Sequence, residues 1–277
     1  METLIKLLCN LKNNQYMNFG DILSKLLGNQ EVSPEHKAKM EEQLKTDFKK
    51  EMETPPVIAL IGLSGVGKSS TINALFGTKL AVSHFESCTK EGERLSLKGE
   101  KGDIIVYDMP GLGEGRTQDE KHKKTYFDIL PKCDVVLWVM VAHSDGRGGM
   151  TFSQDVLENV VAKACDLRRL VIGVNQADLM QPLNWIEKAN IPSKEQENYL
   201  EMRIKDVRAK LLEVAPNLPA ERIIYYSAQK RYRLEQLFST LMDACADERA
   251  WVLKSRAHIA DYTELIDPEI LQLLKSK

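Results

Sequence analysis

Five continuous apolar runs punctuate a chain whose other apolar residues recur at helical spacing: Val57-Ile58-Ala59-Leu60-Ile61, Asp103-Ile104-Ile105-Val106-Tyr107, Val135 through Val141, Arg169 through Val174, and Ile223-Ile224-Tyr225-Tyr226. Runs without polar alternation are what strands buried on both faces require, so they predict a mainly parallel central sheet with helices on either side. A shorter strand, Arg94 through Leu97, is expected before the second run, joined to it by a Gly99/Gly102 turn. Between and around the runs, helical stripes are formed by Ile72 and Leu75, by Leu200, Ile204, Val207 and Leu211, and by Leu234, Leu237, Leu241 and Met242. Ser193 with Gln196 predicts a capping box at the start of the second of these helices.

The ends of the chain read differently. Leu4, Ile5, Leu7, Leu8 and Leu11 form one stripe and Ile22, Leu23, Leu26 and Leu27 another, and a third helix starts at Ser33 (N-cap) and Pro34, with Met40, Leu44 and Phe48 on one face. Trp251, Leu253 and Ile259 precede a last helix opened by Asp267-Pro268-Glu269. The predicted organisation is a helical extension over 1–54, an α/β domain over 55–247, and a second helical extension over 248–277. The extensions are expected to cap the main domain, with a partner-binding or membrane-surface helix as the alternative.

With 277 residues, 43% of them hydrophobic, the chain is long enough for one large α/β core with appendages. The net charge of −2 gives no global reason to expect binding to nucleic acid or an anionic membrane. Five cysteines without a C-x-x-C pair argue against a zinc site or a disulfide framework and fit a reducing compartment, so a cytoplasmic location is expected. No apolar run has the length of a transmembrane segment.

The chemistry concentrates in Gly62-Leu63-Ser64-Gly65-Val66-Gly67-Lys68-Ser69-Ser70, which fits G-x-x-x-x-G-K-[ST] between the first strand and a helix. Such a loop wraps phosphates with inward backbone N–H groups, for which Gly62, Gly65 and Gly67 leave room. Lys68 supplies a charge, Ser69 a hydroxyl for the Mg²⁺ that bridges the outer phosphates, and the following helix directs its N-terminus at the same anions.

Three further motifs stand at strand ends in order. Asp108-Met109-Pro110-Gly111 follows the second run, Asn175-Gln176-Ala177-Asp178 the fourth, and Ser227-Ala228-Gln229-Lys230 the fifth. The series resembles the motifs of GTP-binding proteins throughout 55–247, and D-x-P-G followed by Leu112 resembles the TrmE/Era/septin-like branch. Gln-Ala-Asp with Trp185 and Ile191-Pro192-Ser193 looks most like the bacterial YeeP/YfjP-like GTPases.

The resemblance implies a three-layer P-loop GTPase fold that binds GTP and GDP with Mg²⁺. Asp108 would reach the metal through water, Gly111 N–H the γ-phosphate, Asn175 and Asp178 the guanine, and a backbone N–H of the Ser227-Ala228 loop the guanine oxygen. Gly62, Ser64, Gly65, Val66, Gly67, Lys68, Ser69 and Ser70 would cradle the phosphates. Thr89-Lys90-Glu91 matches the switch pattern of the branch, so Thr89 is expected to close over Mg²⁺ and the γ-phosphate, with Ser87 as competitor. Lys68 and Thr89 are the expected catalytic groups.

The chain departs from the family pattern at three positions. Gln176 replaces the usual Lys, which retains packing on the base but not the charge. Gly65 occupies the position where potassium-activated members have Asn, and Leu112 the position where Ras-like proteins have the Gln that orients water. His84, Glu86, Glu114 and Arg116 are weaker candidates to orient water or stabilise charge, and Arg147 is a weaker candidate for an internal arginine finger. Slow hydrolysis in a molecular switch is therefore expected, the alternative being a GTP-dependent assembly module that does not hydrolyse. A protein or ribosome partner and self-association are compatible with either.

Overall fold

The computed structural model describes residues 32–77, 93–98, 102–112, 116–143, 150–246, 249–250 and 252–253. Thr89, Ser87, His84, Glu86, Glu114 and Arg147 lie outside these, as do the stripes before residue 32 and the tail beyond 253.

A six-stranded sheet has the order β2-β3-β1-β4-β5-β6. Its strands are β1 (Val57–Ile61), β2 (Glu93–Leu97), β3 (Ile104–Asp108), β4 (Val135–Val141), β5 (Leu170–Asn175) and β6 (Ile223–Tyr225). All neighbours run parallel except β2, which pairs antiparallel with β3 at one edge. The five apolar runs are thus five strands, the second and fourth each ending one residue later than the sequence pattern implies. Asp108 and Asn175 become the last residues of their strands, at the C-terminal edge of the sheet.

Alternate strand residues feed two cores because both faces are covered. Ala59, Ile61, Val136, Trp138, Ile172 and Val174 face one layer, and Ile58, Leu60, Leu137, Val139 and Val171 the other. The first layer contains helix α3 (Arg116–Ile129), helix α4 (Met150–Val156, continuing through a π-helical turn at Leu157–Val161 to Ala162–Ala164) and helix α5 (Lys194–Val214). The second contains α2 (Lys68–Phe76) and α6 (Leu234–Ala244). Trp138 and Met140 are buried core residues, as their place in an apolar run requires.

Helix α1 (Pro34–Glu53) begins as expected, with Ser33 Oγ accepting from His36 N at 3.3 Å. Its Met40 is 37% exposed, and most of the helix's described side chains are exposed. At the other end, Leu253 joins the second core and Arg249 is buried. Arg249 Nε lies 3.0 Å from Asp134 Oδ1, and its other nitrogens donate to Thr54 O and Pro55 O. Asp134 Oδ2 also accepts from Val57 N at 2.7 Å, which pins the entry to β1. Among the described residues no helix is long and apolar enough to cross a membrane.

Candidate nucleotide-binding site

Open α/β sheets bind ligands beyond their strand C-termini, where the strand order reverses. Here β1 lies between β3 and β4, and the loop leaving it carries the phosphate-binding pattern. Gly67 caps α2 in the left-handed region (φ 93°), and a Cβ there would stand 2.5 Å from Asn175 Nδ2. Glycine is therefore required twice over, by conformation and by space. Gly67 lends α2 no side-chain cap, so the first N–H groups of the helix remain for an anion.

Lys68 is 8% exposed and folds back along the loop, donating to Leu63 O at 3.1 Å and Gly62 O at 3.4 Å. Val66 is buried, while Ser64 and Ser70 sit half-buried on the loop and the first turn of α2. Thr71 Oγ1 lies 2.8 Å from the hydroxyl of fully buried Tyr226, fixing α2 against the end of β6. Burial pushes the Tyr226 phenol up, out of the range where it would ionise.

Ser69 Oγ donates to Asp108 Oδ2 at 2.5 Å. A hydroxyl and a buried carboxylate brought together from α2 and β3 are hard oxygen donors of the kind Mg²⁺ takes when phosphates complete its shell, so the residues fit that ion. Among the described residues no cluster of three His, Cys, Asp or Glu forms an all-protein metal cage, and a phosphate-bridged ion needs none.

Asn175 joins three segments. Its Nδ2 donates to Val66 O at 3.0 Å and its Oδ1 accepts from Ala228 N at 3.0 Å, while the residue is 2% exposed. Next to it, Gln176 adopts φ 62° and donates from Nε2 to Gly65 O at 3.5 Å. Its Oε1 is 2.7 Å from His143 Nε2, which must be the donor because the amide oxygen can only accept. His143 was not a sequence candidate. It follows a strand like many loop residues, and only the fold brings it to Gln176.

Asp178 Oδ1 is buried and has no hydrogen-bond partner among the described residues. The backbone around it is held in place: Gln196 Nε2 donates to Asp178 O at 3.2 Å and Met180 O at 2.8 Å. Half of the expected capping box therefore forms. Ser193 Oγ accepts from Gln196 N at 3.1 Å, but the Gln196 side chain is fully buried and turns to the 178–180 backbone instead of back to its own helix end.

The Ser227 loop closes the site. Ser227 N and O pair with Tyr232, and Ser227 Oγ accepts from Lys230 N at 2.9 Å. Trp185 packs edge-on to Tyr232 at 5.2 Å, and Asn190 Nδ2 donates to Lys230 O. The segment carrying Trp185 thus braces this loop. The N–H groups of Ser227, Ala228 and Lys230 donate within the protein, to Tyr232 O, Asn175 Oδ1 and Ser227 Oγ.

Strand order, phosphate loop and the three strand-end motifs have the arrangement of the P-loop GTPase fold. Residues 57–176 match the family model described as 50S ribosome-binding GTPase. The chain is 34% identical over 146 residues to YkfA of Escherichia coli (strain K12), covering 50% of each chain. It is 31% identical over 150 residues to YfjP of the same strain, covering 54% of this chain and 50% of that one. The chain thus spans about half the length of the curated relatives it matches. A solved structure described as "Dimerization is important for the GTPase activity of chloroplast translocon components atToc33 and psToc159" superposes with a TM-score of 0.56 at 17% identity, covering 75% of this chain and 90% of that one. At that identity the likeness concerns the fold.

Proposed function

We propose that the protein binds Mg²⁺-GTP and hydrolyses it slowly to GDP and phosphate, acting as a molecular switch. The observation that carries the guanine reading is the buried, unpartnered Oδ1 of Asp178 beside Asn175 and the Ser227 loop. A buried acceptor without a partner is costly, and guanine N1–H and its 2-amino group are the donors that would satisfy it. A backbone N–H of the Ser227-Ala228 loop would meet the guanine oxygen, and Gln176 would pack on the base.

Lys68 and the amides of the phosphate loop would stabilise charge on the β- and γ-phosphates, and Ser69 with Asp108 would hold Mg²⁺, which neutralises charge between those phosphates. Thr89 is the proposed switch residue closing over the metal. Leu112 is 4% exposed and packs in the first core, so it has neither the chemistry nor the position to orient water. Intrinsic turnover on the order of 10⁻⁴ to 10⁻² s⁻¹ is the corresponding range. Gly65, lacking a side chain, gives no ligand for K⁺. Single-turnover hydrolysis accelerated strongly by exchanging Na⁺ for K⁺ would contradict that assignment. A nucleotide-dependent protein or ribosome partner, or a second copy, is the proposed target of the switch in the cytoplasm.

The decisive test is base choice. Asp178→Asn replaces one acceptor oxygen by a donor, which suits the 2-oxo group of xanthine and opposes the 2-amino group of guanine. Calorimetric titration should show wild type preferring GTP over ATP by two decades or more, from an unpaired buried charge that costs roughly 3 kcal/mol. The variant should invert the preference towards xanthosine triphosphate. Comparable ATP binding by wild type, or no inversion, rules out the guanine site.

A further inference from the structure

The turn that follows β3 is gripped from one helix on both sides of Gly111. Tyr126 Oη donates to Pro110 O at 2.9 Å, and His122 Nδ1 lies 2.7 Å from Gly111 O. A carbonyl oxygen only accepts, so His122 carries its proton on Nδ1. Both side chains are buried, Tyr126 completely, and their i, i+4 spacing stacks them on one face of α3. They hold two consecutive peptide units.

In a trans peptide the C=O and N–H lie in one plane and point in opposite directions. Holding Pro110 O towards α3 therefore turns Gly111 N–H away from α3, and holding Gly111 O does the same for Leu112 N–H. On the other side stands the phosphate loop. A Cβ on Gly111 would come within 2.6 Å of Ser64 N and 2.9 Å of Ser64 Cα, and Leu63 forms a bridge with Leu112. Gly111 is wedged between the loop and α3, with its carbonyl side fixed by α3.

We propose that Tyr126 and His122 are positioning residues for the terminal phosphate: by fixing the carbonyls of Pro110 and Gly111 they preorganise Gly111 N–H towards the γ-phosphate. This rests on the nucleotide-binding reading above. A diphosphate ends short of Gly111, so losing the grip weakens triphosphate alone. Buried side chains that merely satisfied the turn would affect stability without changing that ratio.

The test uses the full chain with Mg²⁺ and compares affinities for GDP and a non-hydrolysable GTP analogue, with circular dichroism melting alongside. Tyr126→Phe removes only the hydroxyl. His122→Leu removes the donor, whereas His122→Asn offers an amide nitrogen near the Nδ1 position. Tyr126→Phe and His122→Leu should each lose roughly tenfold in analogue affinity, the worth of one hydrogen bond, with GDP affinity within about twofold of wild type. His122→Asn should recover most of the loss. Equal losses for both nucleotides, or no loss, overturn the inference. Should Tyr126→Phe fail to fold, the two His122 variants decide it. Failure of the guanine reading shows separately, as wild type indifferent to base, and the triphosphate-to-diphosphate ratio still tests the grip.

Discussion

Asn175 Nδ2 donates to Val66 O at 3.0 Å, so the residue that ends β5 holds the phosphate loop that follows β1. Its Oδ1 accepts from Ala228 N, and one side chain thereby sets the spacing between the proposed phosphate and base subsites. Both bonds are buried, and Gly67 leaves the room they need. Asn175→Ala strands a carbonyl and an N–H, each costing about 1 to 3 kcal/mol. Urea unfolding should show a loss of about 2 to 5 kcal/mol at unchanged m-value. Nucleotide affinity should fall with it, because both subsites lose their common strut. A variant with wild-type stability would mean that the loops are held by other contacts.

The Arg249–Asp134 pair makes the opposite prediction: large for stability and small for binding. Both side chains are largely buried, and Asp134 stands just before β4, at the end of the sheet remote from the nucleotide site. Asp134→Ala leaves a buried guanidinium without its carboxylate and Val57 N–H without its acceptor, which should cost about 3 to 5 kcal/mol. Affinity for GTP measured well below the melting temperature should remain within about twofold of wild type, because no site residue is touched. The double variant Asp134→Ala/Arg249→Met should lose less than the sum of the single variants; additivity would show that the two side chains are not coupled.

Much of the fold was legible because parallel strands buried on both faces leave uninterrupted apolar runs, and motifs at strand ends announce where those runs stop. Helix α3 left no such trace. Its inward face is made by His122 and Tyr126 with few aliphatic residues, so the apolar period is weak although both residues are buried. His143 was equally silent, because its partner Gln176 lies 33 positions away and nothing local marks the pairing. Gln196 illustrates a different limit. The S-x-x-Q pattern placed the helix start correctly, but tertiary packing diverted the Gln side chain to the backbone of residues 178–180.

Cys133, Cys165 and Cys245 are free thiols whose pKa is pushed from 9.0 to about 12, chiefly by burial. The folded-state value is the raised one, so the stabilisation is complete below pH 9 and is lost as pH rises from about 9 towards 12, where the unfolded chain ionises first. Each thiol contributes a slope of up to about 1.4 kcal/mol per pH unit within that window. Stability from urea unfolding should therefore be flat between about pH 7 and 8 and fall steeply above 9. Cys165→Ala should reduce the slope by one thiol's share. An unchanged slope would mean that this sulfur already ionises in the folded protein.

The substitution of Lys by Gln at 176 has a structural counterpart in His143. Gln176 reaches Gly65 O with its amide nitrogen, as a longer ammonium could, and its oxygen accepts a hydrogen bond from His143 Nε2. The amide is thus oriented by a neighbour, whereas a lysine would supply charge without needing one. Gln176→Lys should therefore tighten GTP binding at low salt by roughly three- to tenfold, because an ammonium near the phosphate loop adds a charge-assisted contact. The gain should shrink at high ionic strength, where the Debye length falls towards about 3 Å at 1 M. His143→Ala should weaken GTP binding in the wild-type background, where it frees the Gln176 amide to turn. In the Gln176→Lys background it should have no effect, because the ammonium accepts nothing from an imidazole N–H. Titration of the four proteins forms a double-mutant cycle whose coupling term is the measured quantity. A zero coupling term, or an unchanged affinity for Gln176→Lys at low salt, would show that Gln176 lies away from the bound nucleotide.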